Sequence, residues 1–180
     1  MTCSTPHRQA AKADQFRALH HGSKILVLPN AWDVASVRIF EEAGVAAIAT
    51  TSAGIAFTLG YLDGEKISRE EMLAVVARIA AKVTLPVTAD IEAGYGSRPE
   101  DAARTAAAVI ETGAVGVNLE DSIPGSESAL VELPLQLEKI QAMKETAGRF
   151  HQPLGNLTLV ALFAAEPALS HSRRAGDFDS

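Results

Sequence analysis

The chain has almost no cysteine: Cys3 is the single one among 180 residues, so no internal disulfide can staple the fold. That pattern fits a reducing, cytoplasmic setting. Positive charge is also short, with 16 Lys and Arg against 22 Asp and Glu and a formal charge of −6. Such a balance lacks the basic footprint that phosphate backbones require, which argues against nucleic-acid partners. No apolar run approaches the roughly 20 residues that span a bilayer, so no membrane partner is expected either. Charged residues Arg8, Lys12, Asp14 and Arg17 interrupt the first 20 residues and leave no signal-peptide core. Gly-x-Gly-x-x-Gly and Walker patterns are missing, since Gly94-Tyr-Gly96 lacks a third glycine.

What remains is 47% hydrophobic content, enough for a buried core in one domain. Its arrangement alternates short apolar runs with amphipathic stretches. Runs at Ile25–Leu28, Ala46–Thr50, Pro86–Glu92 and Val115–Glu120 read as strands. Helices are expected over Trp32–Ala43, from Ser68 to before Pro86, from Pro99 to Gly113, and over Leu135–Ala147. Ser68 with Glu71 has capping-box spacing, and Pro99 suits a first helical turn. The last of these stretches offers Leu135, Leu137, Ile140 and Met143 as its apolar face. Strand–helix alternation implies a parallel α/β sheet. A helix–glycine–strand echo at Glu42–Ala49 and Glu111–Asn118 suits a barrel of equivalent units. After Gly148 the pattern breaks, and only Leu157–Phe163 offers another strand.

Functional residues of parallel α/β folds gather where strands end. Here those ends carry Asp90 and Glu92, then Glu120 and Asp121, then the small loop Thr50-Thr-Ser-Ala-Gly, whose N–H groups could receive a substrate carboxylate or phosphonate. Two-residue spacing in an extended strand puts Asp90 and Glu92 on one face. Converging carboxylates repel unless a cation offsets them, and Mg²⁺ is the economical choice. The alternative is that Asp90 and Glu92 cap the next helix or pair with Arg98 and Arg104. Elsewhere, His20 and His21 read as a helix end, His151 and His171 share no metal-ligand spacing, Trp32 reads as core, and Ser52 has no histidine partner for a hydrolase triad.

Four strings occur in order: Leu28-Pro-Asn-Ala-Trp-Asp, Ala49-Thr-Thr-Ser-Ala-Gly, Ala89-Asp-Ile-Glu-Ala-Gly-Tyr-Gly and Asn118-Leu-Glu-Asp-Ser. Together they resemble the isocitrate lyase/phosphoenolpyruvate mutase superfamily, and most closely its phosphonomutase-like branch. The resemblance spans roughly residues 10–148 and implies an incomplete (β/α)8 barrel of four to five units. It further implies a Mg²⁺-dependent, homo-oligomeric enzyme that makes or breaks a C–C or P–C bond in a small 2-oxo acid, enolpyruvate or phosphonate. By position, Asp90, Glu92 and Glu120 match the metal-site acids, Asp63 and Glu120 the catalytic acids, and Ser52, Ala53 and Gly54 the substrate loop. Glu92 stands where the family often has Asp. The cysteine-bearing Lys-Arg-Cys-Gly-His loop is replaced by Ser122-Ile-Pro-Gly-Ser-Glu-Ser, which disfavours isocitrate or methylisocitrate cleavage through that cysteine. No Asn-Ala-Arg-Thr follows Gly148, so residues 1–148 are expected to form the barrel portion and 149–180 a non-matching, frameshift-like tail. Two further readings stand beside this one: an inactive truncated fragment that self-associates or binds a partner, and a flavodoxin-like sheet with an unrelated ligand.

Overall fold

Local signals fix most of the helices. The computed structural model describes residues 6–124, 126, 130–149 and 158–162. Its first helix, α1 (Pro6–His20), is followed by strand β1 (Asn30–Ala31) and helix α2 (Val34–Glu42). Asp33 caps α2 by accepting the Ser36 N–H at 2.7 Å. Then come β2 (Ile48–Thr50), the short α3 (Ser52–Thr58) and α4 (Arg69–Ala80), which opens on the Ser68–Glu71 capping box expected from spacing. The chain continues through β3 (Val87–Asp90), α5 (Pro99–Thr112), β4 (Gly116–Glu120), α6 (Leu133–Arg149) and β5 (Thr158–Leu162). Pro99 sits in the first turn of α5, and the helix–glycine–strand echo recurs at Gly44 and Gly113. No helix among the described residues is long and apolar enough to cross a membrane.

The five strands are all parallel and lie in the order β1-β2-β3-β4-β5. With no reversal, right-handed crossovers keep every connecting helix on one face of the sheet. That is barrel winding, and it removes the flavodoxin-like alternative, whose doubly wound sheet needs a reversal. The fold is thus α/β, half of a (β/α)8-type barrel. Alternation along β3 and β4 separates the two faces. Val87, Ala89, Val117 and Leu119 join the core beneath the helices with Val76, Ile79, Ala106 and Val109. Thr88, Asp90, Gly116, Asn118 and Glu120 line the other face, where Thr88 Oγ1 donates to Asn118 Oδ1 at 3.2 Å.

Three expectations need correction. Ile25–Leu28 is not a strand: Ile25 is 93% and Val27 69% exposed, while Leu26 and Leu28 pack on Phe16 and Ala47. The segment lies ahead of edge strand β1, so only alternate residues find a partner. Trp32 is not core but 41% exposed. On α6 Met143 is buried and Ile140 packs against the core as expected, but Leu137 is 52% exposed and the buried face is completed by Gln136, Lys139 and Ala147. His151 and His171 fall outside the described residues, as does most of 149–180; the strand expected at 157–163 is seen as β5.

Helix α1 closes the end of the sheet away from the site. Its Gln9 Nε2 donates to Ile110 O (2.8 Å) and Ala114 O (2.9 Å), and its Lys12 Nζ to Val83 O (3.0 Å). Phe16, fully buried, fills the space over Gly116, where a Cβ would come within 2.7 Å of both Phe16 Cε1 and Thr88 Oγ1. Gly116→Ala is therefore expected to destabilise the protein by about 1–3 kcal/mol, the usual cost of overpacking. Urea denaturation reads this, and Phe16→Leu in the same background should recover part of the loss. An unchanged midpoint would show that α1 is not seated there.

Candidate active site at the carboxyl ends of the strands

Asp90 ends β3 and ties it to β2. Its N–H donates to Thr50 Oγ1 at 2.9 Å. Its Oδ2 accepts from the Ser52 N–H (3.0 Å) and hydroxyl (2.8 Å), and its Oδ1 from the Glu92 N–H (3.2 Å). Ser52, Ala53 and Gly54 are not a loop but the first turn of α3, capped by Thr51, whose Oγ1 accepts the Gly54 N–H at 3.2 Å. Two of the three N–H groups read as substrate donors are thus already engaged, and Ala53's is the remaining one.

Glu92 lies beyond the strand, so alternation does not place it. Its backbone adopts φ +50°, as Glu65 (+56°) and Tyr95 (+58°) adopt similar left-handed angles. The buried Glu92 carboxylate accepts the Glu65 N–H on Oε2, and the Tyr95 hydroxyl reaches Oε1 at 3.5 Å. Glu65 Oε1 in turn accepts the Tyr95 N–H at 2.7 Å. Glu120 ends β4, where its N–H donates to Glu92 O at 2.8 Å. Its Oε2 accepts the Ser122 hydroxyl at 2.8 Å, and its backbone carbonyl accepts Gln136 Nε2 at 3.0 Å. Lys139 Nζ donates to Ala93 O and, at 3.2 Å, to Gly96 O.

The charges confirm how closely these acids crowd. Burial pushes the Glu92 carboxyl up to about 7, against the pull of the Glu65 N–H, and the charges of Asp63, Glu65 and Asp90 push it further. Burial also raises Glu120; the Ser122 hydroxyl opposes the shift, and Asp90, Asp63 and Asp121 add to it. Asp63, in the connection from α3 to α4, therefore lies within electrostatic reach of both. Among the described residues no salt bridge reaches Asp63, Asp90, Glu92 or Glu120. The helix-capping and arginine-pairing alternative falls here: Arg98 and Arg104 both pair with Asp101 within α5. Glu65, Tyr95, Gln136 and Lys139 escaped the sequence reading, although the 136–139–143–147 spacing marks one helix face.

Among the described residues no three His, Cys, Asp or Glu side chains are grouped to enclose a metal ion. Mg²⁺ does not demand such a cage, because it keeps several waters and takes one or two carboxylates. The donor set, all oxygen and mutually repelling, has the chemistry such an ion needs.

Residues 16–154 match the phosphoenolpyruvate phosphomutase family. A phosphonomutase-type protein from Burkholderia cenocepacia J2315 superposes with a TM-score of 0.79 at 40% identity, covering 84% of this chain and 60% of that one. An uncharacterized protein of Mycobacterium tuberculosis (strain ATCC 25618 / H37Rv) is 37% identical over 130 residues, 72% of this chain and 48% of its own length. The 2-methylisocitrate lyase of Bacillus subtilis (strain 168) is 30% identical over 145 residues, 77% of this chain and 48% of the lyase. The chain spans about half the length of the curated relatives it matches. With its unreversed parallel strands and the acids gathered at their carboxyl ends, the chain belongs to the phosphoenolpyruvate phosphomutase family, within the isocitrate lyase/phosphoenolpyruvate mutase superfamily.

Proposed function

We propose that the rim formed by Asp90, Glu92 and Glu120 binds Mg²⁺ and, with it, a small 2-oxo acid, enolpyruvate or phosphonate. One observation carries the reading: beyond burial, the charge of Asp90 at the end of β3 raises the proton affinity of both Glu92 and Glu120, and among the described residues no cationic side chain is paired with any of the three. A divalent ion, when bound, neutralises negative charge that develops on oxygen as a C–C or P–C bond is made or broken. The chain's own residues do the rest. Asp90 joins the metal site to α3, so substrate held by the Ser52–Gly54 turn lies beside the ion. Glu120, with Oε1 left open by Ser122, and Asp63 across the rim are the groups that hold or move protons there.

Calorimetric titration with MgCl2 tests the site. Wild type should bind Mg²⁺ and then take up pyruvate, and Glu120→Gln should weaken the metal step by about 10-fold or more, as loss of ligand-set groups does. Equal affinity in the two proteins would remove Glu120 from the site. A second reading, a self-associating chain without turnover, is motivated by Ile25 and Val27 exposed beside edge strand β1. Turnover of an oxo acid or phosphonate by the purified chain would refute it, and a soluble homo-oligomer that binds no Mg²⁺ would favour it.

A further inference from the structure

The turn that carries Glu92 is gripped from two sides by residues outside the acid rim. From the α3–α4 connection, Glu65 donates its N–H to the Glu92 carboxylate and accepts the Tyr95 N–H on its own. From α6, Lys139 reaches in, 1% exposed, and donates to the carbonyls of Ala93 and Gly96. Glu65 and Lys139 thus hold the same turn from two different elements, one through Glu92 and Tyr95 and the other through Ala93 and Gly96. Between them lie Glu92 and Tyr95, which together with Glu65 make three side-chain-bearing residues in left-handed backbone. Such backbone is strained for residues that carry a side chain, and the conformation persists only where its surroundings over-determine it.

We propose that Glu65 and Lys139 are a positioning pair, a clamp that holds Glu92 inward and, through the short link from Asp63 to Glu65, registers Asp63 against the same rim. Released, residues 92–96 relax towards ordinary backbone and the Glu92 carboxylate leaves the rim. Where metal affinity is the readout, the inference rests on the Mg²⁺ reading above; backbone protection tests it independently.

Amide hydrogen exchange on the full chain is the first measurement. Lys139→Met should speed exchange at Tyr95 and also at the Glu65 amide, which Lys139 does not touch, by at least about 10-fold, with β2 and α4 unchanged. Titration with MgCl2 is the second. Lys139→Met and Glu65→Ala should each lower affinity about 10-fold, the double variant should fall little further, and Glu65→Gln should return within about 3-fold of wild type. Protection that persists at the Glu65 amide in Lys139→Met, or losses that simply add, overturns the clamp. Should Lys139→Met fail to fold, Glu65→Ala against Glu65→Gln decides alone, because Glu65 is only partly buried. If wild type and Asp90→Ala respond equally to MgCl2, the metal reading fails and the exchange result still judges the clamp.

Discussion

Asp90→Ala should abolish the response to Mg²⁺ and lower stability at once. The carboxylate accepts three hydrogen bonds, from the Ser52 N–H, the Ser52 hydroxyl and the Glu92 N–H. Alanine leaves those part-buried donors to find water or remain unpaired, at about 1–3 kcal/mol for a group that stays unpaired. One term acts the other way, since the Asp90 charge pushes up both Glu92 and Glu120 and its loss relieves them. The orphaned donors outweigh that relief, and a net loss of about 2 kcal/mol, or about 4–8 °C in melting temperature for a chain of this size, is expected. On the proposed reading Asp90 is both ligand and anchor of the β2–α3 turn, so metal affinity should fall at least about 100-fold. Thermal melts with and without MgCl2 measure both effects. A variant that keeps the wild-type shift with Mg²⁺ would take Asp90 out of the metal site.

Glu92→Gln should do the reverse to stability while also removing the metal response. The folded protein holds the Glu92 carboxyl near 7, above its ordinary value of 4.5. Between those values the folded state binds more protons than the unfolded state, so stability falls as pH rises. The full effect approaches about 3 kcal/mol by pH 8 in the metal-free protein. Glutamine has no charge to lose, and it fits the partners: Oε1 can accept the Glu65 N–H while Nε2 donates to the Tyr95 hydroxyl. In EDTA the variant should match wild type at pH 5 and exceed it progressively towards pH 8. With Mg²⁺ at pH 8 the wild type should recover and the variant stay unchanged. Urea titrations at pH 5, 6, 7 and 8 decide this, and an advantage that does not grow with pH would refute it.

Asp90 and Glu120 were legible because the end of an apolar run and the turn glycines behind it are local properties of sequence, whereas Glu92, in left-handed backbone beyond β3, was not placed by alternation. Asp90 and Glu120 follow apolar runs directly, and the Ser68–Glu71 cap needs only three residues of spacing. Four ordered strings then carried the family, and the barrel winding followed from it. What could not be read depends on partners far along the chain. Lys139 looks like a solvated charge on its helix, and only the carbonyls of Ala93 and Gly96, more than 40 residues earlier, turn it inward. Glu65 is equally anonymous until Tyr95 and Glu92 are placed beside it. Helix α1 packs through Gln9, Ala10, Ala13 and Phe16, a face too small and polar to register as an apolar stripe. Ile25–Leu28 erred in the opposite direction, being apolar enough for a strand yet beyond the reach of ladder partners on both sides.

The unreversed strand order bears on how the molecule comes together. Each strand pairs with the one immediately before it in the chain, so every pairing closes a loop of only about 20–40 residues, and the closure entropy rises slowly with such lengths. Growth can proceed by stepwise addition from the amino end, each new βα unit docking on a surface already formed. On that route Asp90 is seated when β3 joins β2, whereas Glu120 arrives only with β4. The repulsive rim is therefore completed late, after the apolar core between α4 and α5 is in place to bear its cost.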